Sequence, residues 1–213
     1  MGEKPAWGDT RVITLGISAE GPTERNFVSH VLAPHLLNFD VHARAVDLGG
    51  NVSLERIKRD LRPLMHQCHR VTTLYDYYGF KHRGERTAEQ LVEAIGTLVD
   101  EESRWRFLPY IQMYEFEALL FAVPQQVAQT MGGGVAEAEV LAAAVREKGS
   151  PERVNDSWET KPSRRIEQLF PGYRKPLHGI EILNATGLDV IRQACPRFNA
   201  WVTQLEQLGQ QAA

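Results

Sequence analysis

This sequence of 213 residues has only two cysteines, no long apolar run and a small net charge. Its two cysteines, Cys68 and Cys195, lack a CxxC or Cys/His spacing, so neither a disulfide framework nor a structural zinc site is expected. The longest apolar runs, at residues 118–123 and 140–145, are too short to cross a bilayer. The N-terminal residues lack a charged-then-apolar signal pattern. We therefore expect a cytoplasmic protein without a membrane partner.

The formal net charge is −3, which excludes a globally basic surface of the kind that binds nucleic acid without further help. Any contact with nucleic acid must come from local basic patches or from a bound cation. The sequence contains two such patches. They are Lys81, His82, Arg83 and Arg86, and then Lys161, Arg164, Arg165, Arg174 and Lys175.

Short β-branched runs alternate with amphipathic helical patterns in the first part of the chain. Strands are predicted at residues 11–18, 39–46, 71–75 and 107–113, and helices at 24–37, 53–67 and 88–103. In the turn before the first helix, Thr23 is a favourable N-cap. This alternation predicts right-handed crossovers and one mostly parallel sheet, which is an α/β fold.

Beyond about residue 122 the apolar spacing becomes helical throughout. Helices are predicted at residues 125–130, 136–148, 164–170, 188–193 and 198–208, with a polar, irregular loop at 148–162. We therefore expect an α/β domain over residues 1–122 and a helical C-terminal portion over 123–213 packed on it. A single continuous domain is the alternative.

Acidic residues stand where three of the predicted strands end. Glu20 follows the first strand, Asp76 ends the third, and Glu115 and Glu117 follow the fourth, while Glu24 lies one helical turn beyond Glu20. Ligands of parallel α/β sheets gather at the carboxyl ends of the strands. Converging carboxylates repel one another and need protons or a cation, and Mg²⁺ or Mn²⁺ suits oxygen ligands. These five acids are therefore candidate metal ligands, and such a metal would activate water and orient a phosphodiester.

Basic residues are candidates for holding the phosphates of a nucleic acid, because arginine binds them in a bidentate manner and lysine as a point charge. The candidates are Lys161 and Lys175 at the catalytic centre, and Lys81, Arg83, Arg164, Arg165 and His178 along the nucleic acid. His178 and His82 are also candidate proton donors to a leaving oxygen.

Each candidate also has an ordinary structural interpretation. Glu20 could be held by backbone donors in its turn, and Glu24 could complement a helix dipole. Glu115 and Glu117 could form buried ion pairs with an arginine. The basic residues near position 164 could lie on a solvated helix that Ser163 caps.

The segment Glu20-Gly21-Pro22-Thr23-Glu24 after a strand, with Asp76 at a later strand end, resembles the Toprim domain. That domain is shared by topoisomerases, primases and the overcoming-lysogenization-defect (OLD) nucleases. The segments EGPTERNFV, DYYGF, YIQMYEFEALLF, KPSRRI and CPRFNAW are similar to a bacterial Toprim-like family of unknown function, and this likeness covers nearly the whole chain. Its members are often encoded beside ATPases in apparent defence loci, which implies an ATPase partner.

The resemblance implies the Toprim glutamate role for Glu20, the first acidic role for Asp76 and an assisting role for Glu24. The usual Asp-x-Asp pattern would place a second aspartate at position 78, where this chain has Tyr78. One metal ligand is therefore missing, or Glu115 or Glu117 supplies it.

These observations favour a metal-dependent nuclease that hydrolyses DNA or RNA, as part of an antiviral defence system. The alternative is a non-catalytic Toprim-like subunit whose C-terminal helices dock on an ATPase partner or on a second copy of the chain. Metal-assisted phosphoryl transfer on nucleotides is a third interpretation, because the same carboxylates would serve it.

Overall fold

A computed structural model describes residues 12–155 and 157–210. Within them, five strands form one parallel sheet. The strands are β1 (Ile13–Ala19), β2 (Val41–Asp47), β3 (Arg70–Asp76), β4 (Phe107–Leu108) and β5 (Ile111–Gln112). Their order is β2-β1-β3-β4, and β5 continues beside β3 after β4 ends. The α/β fold with a parallel sheet is thus confirmed, and the carboxyl ends of β1 and β3 share one edge.

Helices surround this sheet and make up most of the C-terminal part of the described chain. They are α1 (Pro22–Phe27), α2 (Ala33–Leu36), α3 (Leu54–Gln67), α4 (Ala88–Gly96), α5 (Pro124–Thr130), α6 (Val135–Lys148), α7 (Pro162–Leu169), α8 (Lys175–Thr186), α9 (Leu188–Ala194) and α10 (Pro196–Gln210). A π turn (Val28–Leu32) joins α1 to α2. Short 3₁₀ helices cover Leu37–Phe39, Tyr77–Gly79, Glu101–Arg106, Phe116–Ala122 and Pro151–Arg153.

Several predicted boundaries shift in the structure. The first helix starts at Pro22 with Gly21 as its N-cap, so the prediction of Thr23 as the cap is wrong. The helix predicted over 88–103 ends at Gly96, where glycine weakens the α-helix, and resumes as the 3₁₀ helix Glu101–Arg106. Residue 11, where the first predicted strand begins, lies outside the described residues.

The strand predicted over 107–113 is broken into β4 and β5. Pro109 lies between them and has no N–H to donate to a strand ladder. Two buried threonines of β3 bridge the gap. The hydroxyl of Thr72 donates to Leu108 O at 2.6 Å, and the hydroxyl of Thr73 donates to Tyr110 O at 2.7 Å. These side-chain bonds keep the broken strand against the sheet.

The C-terminal helices share the hydrophobic core of β1 and α1. The ring of Trp201 on α10 stacks on Tyr110 with centroids 4.6 Å apart, and its Nε1 donates to Thr72 Oγ1 at 2.9 Å. Phe198 packs against Phe27 of α1 at 5.9 Å. The helical portion is therefore packed directly on the α/β part, while the boundary between 122 and 123 stays a prediction.

None of the helices in the described part of the chain combines the length and the apolar character needed to span a membrane.

Candidate active site

Glu20 and Asp76 lie side by side at the carboxyl edge of the sheet. Glu20 directly follows β1, Asp76 is the last residue of β3, and the two strands are neighbours. The backbone N–H of Asp76 donates to Glu20 Oε2 at 3.0 Å. The two acids that the Toprim resemblance selects thus meet at one point, although one Glu20 oxygen already accepts a backbone hydrogen bond.

Glu24 reaches the same place from the first turn of α1. Its Oε2 accepts a hydrogen bond from Gly21 N at 3.0 Å, so the side chain folds back over the start of the helix. It is buried and interacts electrostatically with Glu20, Asp76 and Glu117. Glu24 therefore accepts a hydrogen bond from a free backbone N–H at the start of α1, and it also adds a carboxyl group to the site.

Glu115 and Glu117 enter the site from the segment that follows β5. Tyr114 has a φ of 59°, a left-handed conformation that is uncommon for a tyrosine. The chain turns there into the 3₁₀ helix Phe116–Ala122, and both glutamates are buried. The unusual backbone of Tyr114 thus precedes the two acids that complete the cluster.

Two lysines from the C-terminal helices pair with these glutamates. Lys161 Nζ donates to Glu115 Oε1 at 2.7 Å. Lys175 Nζ lies 3.3 Å from Glu115 Oε1 and 2.9 Å from Glu117 Oε2. The buried ion pairs of the alternative, structural interpretation therefore exist, but the cations are lysines rather than an arginine.

Four of the five acids have pKa values above the ordinary range of a carboxyl group. Burial, and then the neighbouring carboxylates of Glu24, Glu20 and Glu117, raise the pKa of Asp76 well above its ordinary range. Burial and the charge of Glu20 raise the pKa of Glu24 to about 8. Burial also raises the pKa values of Glu20 and Glu117, although Lys175 opposes the shift at both. The single positive charge of Lys175 therefore does not balance these four carboxyl groups.

Glu115 behaves differently from the other acids. Burial alone would raise its pKa, but Lys175, Lys161 and the hydrogen bond from Ser163 N outweigh burial and lower it. Burial would likewise lower the pKa of Lys175, yet the charges of Glu117, Glu115 and Asp76 raise it. Glu115 is thus an ionised anchor for Lys161 and Lys175.

The donor set of the cluster suits a hard cation, because it consists of carboxylate oxygens in a region with excess negative charge. Asp76 Oδ1 is buried without a hydrogen-bond partner among the described residues. No group of three or more His, Cys, Asp or Glu side chains within residues 12–155 and 157–210 is already arranged to hold a metal ion. The chemistry of the residues therefore fits a divalent metal, which would have to draw the carboxylates inward.

The residues predicted to contact nucleic acid have varied exposure and varied partners. Lys81 is exposed, and Arg83 covers the rings of Tyr77 and Tyr78 at 4.7 and 5.1 Å. On α7, Arg164 is exposed and pairs with Glu167, and Arg165 Nε donates to Thr160 O at 2.7 Å. On α8, His178 Nδ1 accepts from Arg174 N at 2.9 Å.

Several residues of the site carried no sequence signal for a functional role. Gly79 lies against Glu20, and a Cβ atom there would lie 2.6 Å from Glu20 Cδ. Ser163 N donates to Glu115 Oε2 at 3.0 Å. The N-cap of α7 is Lys161, so the interpretation in which Ser163 caps this helix is wrong. The Tyr173 hydroxyl lies 3.5 Å from Glu117 Oε1. These contacts depend on tertiary packing, and no local sequence pattern indicates them.

Tyr78 stands where the Toprim resemblance would place a second aspartate, and its hydroxyl contacts a side chain outside the carboxylate cluster. Its hydroxyl accepts a hydrogen bond from the side-chain amide of Asn155, on the segment predicted as a loop. Its ring lies 5.6 Å from Tyr114 and 5.9 Å from Trp158. Tyr78 therefore belongs to an aromatic group beside the carboxylates.

The family model described as "Domain of unknown function (DUF4276)" matches residues 19–206. A comparison with curated proteins gives no match. Among solved structures, the chain is similar to the C-terminal region of the Burkholderia pseudomallei OLD protein, with 18% identity and a TM-score of 0.48 over 89% of this chain and 98% of that one. The corresponding region of the Xanthomonas campestris pv. campestris OLD protein gives 16% identity and a TM-score of 0.46, over 89% and 94%.

Proposed function

Since the chain belongs to the family described as Domain of unknown function (DUF4276), we propose its function from the site itself: metal-dependent hydrolysis of phosphodiester bonds in nucleic acid. The observation that carries this proposal is the convergence of Glu20, Glu24, Asp76 and Glu117, whose pKa values are all raised, at the carboxyl edge of the sheet. Such perturbed groups concentrate at functional sites.

Glu20, Asp76, Glu24 and Glu117 are the residues that would hold Mg²⁺ or Mn²⁺. The bound ion would supply a more acidic water and positive charge beside a phosphodiester. Without a cation, Glu24 keeps a proton at neutral pH, because burial and the charge of Glu20 raise its pKa to about 8. The pKa values of Glu20, Asp76 and Glu117 are shifted in the same direction. Binding of a divalent ion therefore releases protons from the site.

Lys161 and Lys175 provide positive charge next to the carboxylates. Because the pKa of Lys175 is raised, it stays charged and is poorly suited to donate a proton. Its role is to attract and orient phosphate oxygens, with Glu115 holding both lysines in place. Arg83, Lys81 and Arg164, exposed or partly exposed around the cluster, contribute further contacts to the backbone of the nucleic acid.

The test is cleavage of DNA and RNA, single- and double-stranded, with Mg²⁺, Mn²⁺ or EDTA. We expect cleavage with metal alone, and a loss of at least about 100-fold in Glu20→Gln and in Asp76→Asn, since even outer-shell residues of metal sites contribute about 10- to 100-fold. Glu206→Gln is the control, because this buried acid pairs with Arg192 and His35 outside the site. Cleavage that survives both site substitutions would refute the assignment.

A second candidate function is a non-catalytic subunit that regulates a partner ATPase. Two observations favour it: Tyr78 replaces an expected acidic ligand, and no described set of side chains is arranged in advance for a metal. Calorimetric titration with Mn²⁺ separates the two functions. Binding that disappears in Asp76→Asn supports the nuclease, whereas no binding, with or without nucleic acid, leaves the subunit role. The ATPase partner stays a prediction.

A further inference from the structure

Four aromatic side chains form a patch beside the carboxylates, which we call the aromatic patch: Tyr77, Tyr78, Tyr114 and Trp158. Neighbouring ring centroids lie 5.6 to 6.4 Å apart. Three of these residues come from segments that also carry the acids, because Tyr77 and Tyr78 follow Asp76 and Tyr114 precedes Glu115. The patch is therefore part of the same edge of the sheet as the candidate active site.

A backbone hydrogen bond joins two members of the aromatic patch, and Lys161 connects the patch to the site. Tyr78 N donates to Tyr114 O at 3.0 Å, which joins the ends of two segments. Lys161 Nζ lies 3.9 Å from the centroid of the Trp158 ring and 2.7 Å from Glu115 Oε1. A molecule resting on Trp158 would thus lie one lysine side chain away from the buried acids.

Positive charge also lies over the two adjacent tyrosines of the patch. The guanidinium of Arg83 lies 4.7 Å from the ring centroid of Tyr77 and 5.1 Å from that of Tyr78. The same loop exposes Lys81, His82 and Arg86. Aromatic faces next to cations are the combination that binds bases and backbone of single-stranded nucleic acid together.

Trp158 is far more exposed than a packing role requires. Its relative accessibility is 56%, although tryptophan is usually largely buried. It borders a surface groove of about 480 Å³ whose other lining residues are Glu159, Arg164, Glu167 and Gln168. That volume is within the range of ligand pockets, and the walls offer both an apolar face and polar groups.

We propose that the aromatic patch stacks unpaired bases and thereby makes single-stranded nucleic acid the substrate of this site, an inference that rests on the proposed function. Bases in a duplex are already stacked and paired, so they cannot lie on Trp158 without being flipped out. A single strand offers its bases freely, while Arg83 and its neighbouring cations hold the phosphates.

The experiment measures binding apart from cleavage, by fluorescence anisotropy of labelled oligonucleotides in Ca²⁺ and in EDTA. Single-stranded DNA, single-stranded RNA and a duplex of the same sequence are compared at one fixed salt concentration. We expect one or both single strands to bind at least about 10-fold tighter than the duplex. Equal or tighter binding of the duplex, or no binding of any probe, would overturn the proposal.

Substitutions then locate the binding surface. We expect Trp158→Ala to weaken binding of the single strand about 5- to 100-fold, as removal of one stacking partner does, and Trp158→Phe to keep most of it. Trp105→Ala is the matched control, because Trp105 is also exposed and also carries an arginine, Arg70, over its ring, but precedes β4 at its amino end. Equal effects of Trp158→Ala and Trp105→Ala would contradict the proposal.

The two proposals fail in different ways. If cleavage is absent but single strands bind through Trp158, the proposed hydrolysis is wrong and the base-stacking surface stands. If cleavage depends on Asp76 but Trp158→Ala changes neither the binding of single strands nor the preference for them over the duplex, the nuclease stands and the aromatic patch is not its substrate site.

Discussion

At the scale of single residues, Glu20 keeps its place in the site because residue 79 has no side chain. Gly79 lies in the short helix that follows Asp76, and a Cβ atom there would overlap the carboxylate of Glu20. Backbone strain plays no part, since Gly79 is absent from the residues with positive φ. The glycine is therefore needed for space next to a candidate metal ligand.

Gly79→Ala is expected to displace the Glu20 carboxylate from Asp76 N while the rest of the fold persists. The added methyl group should cost about 1–3 kcal/mol of stability, as overpacking does, and weaken Mn²⁺ binding at least about 10-fold. Thermal unfolding and calorimetry measure the two effects. Gly96→Ala is the control, since its Cβ would meet only Pro109 Cγ at an ordinary 3.9 Å. Unchanged Mn²⁺ affinity in Gly79→Ala would show that Glu20 is not a ligand.

The acids of the site could be predicted from sequence, but their partners could not. Glu20 and Asp76 follow recognisable strands, and parallel strands bring their carboxyl ends to one edge. Lys161 and Lys175, in contrast, reach Glu115 across 46 and 60 residues of sequence from helices whose packing no local pattern specifies. The alternative, structural interpretation of Glu115 and Glu117 named an arginine as their partner, and the structure has two lysines.

At the scale of elements, α8 is the helix that sequence periodicity missed. Pro176 and Gly179 near its start are poor helix formers in general. Proline is tolerated in the first turn, and Gly179 packs so closely against Tyr173 that an added Cβ would lie in van der Waals contact with its hydroxyl, at 3.4 Å. Tertiary packing thus overrides propensity here, and it places Lys175 at the amino end of α8 beside the acids.

Lys175→Gln is expected to destabilise the protein, and more so at pH 8 than at pH 5. The substitution leaves Glu117 and Glu115 without a shared cation, which raises their pKa values and makes their ionised forms costly. Breaking a buried pair costs about 3–5 kcal/mol, and we expect less here because Lys175 is about one-third exposed. Urea unfolding at both pH values measures the effect. Lys58→Gln on the exposed face of α3 is the control, and an equal loss there would contradict the role of Lys175.

At the scale of the whole molecule, the described fold concentrates uncompensated negative charge at one edge of its sheet. Glu20, Glu24, Asp76 and Glu117 are brought together by β1, α1, β3 and the segment after β5, so no single element carries the charge. The folded state consequently binds more protons than the unfolded chain at neutral pH. Stability of the metal-free protein must therefore depend on pH.

We expect the metal-free protein to lose stability as pH rises from about 5 to 8. Burial and Glu20 raise the pKa of Glu24 from 4.5 to about 8, so between these values the folded state retains a proton that the unfolded state releases. While the folded state binds one proton more than the unfolded state, the free energy of unfolding falls by up to about 1.4 kcal/mol for each unit that the pH rises. The whole of this loss is present above pH 8. Thermal unfolding in EDTA measures the slope, and added Mn²⁺ should stabilise more at pH 8 than at pH 5.5.

Glu24→Gln should flatten the slope, whereas Glu137→Gln should not, because Glu137 caps Gly134 in the same way but is exposed. A flat or rising profile in EDTA would show that the acids do not share buried charge.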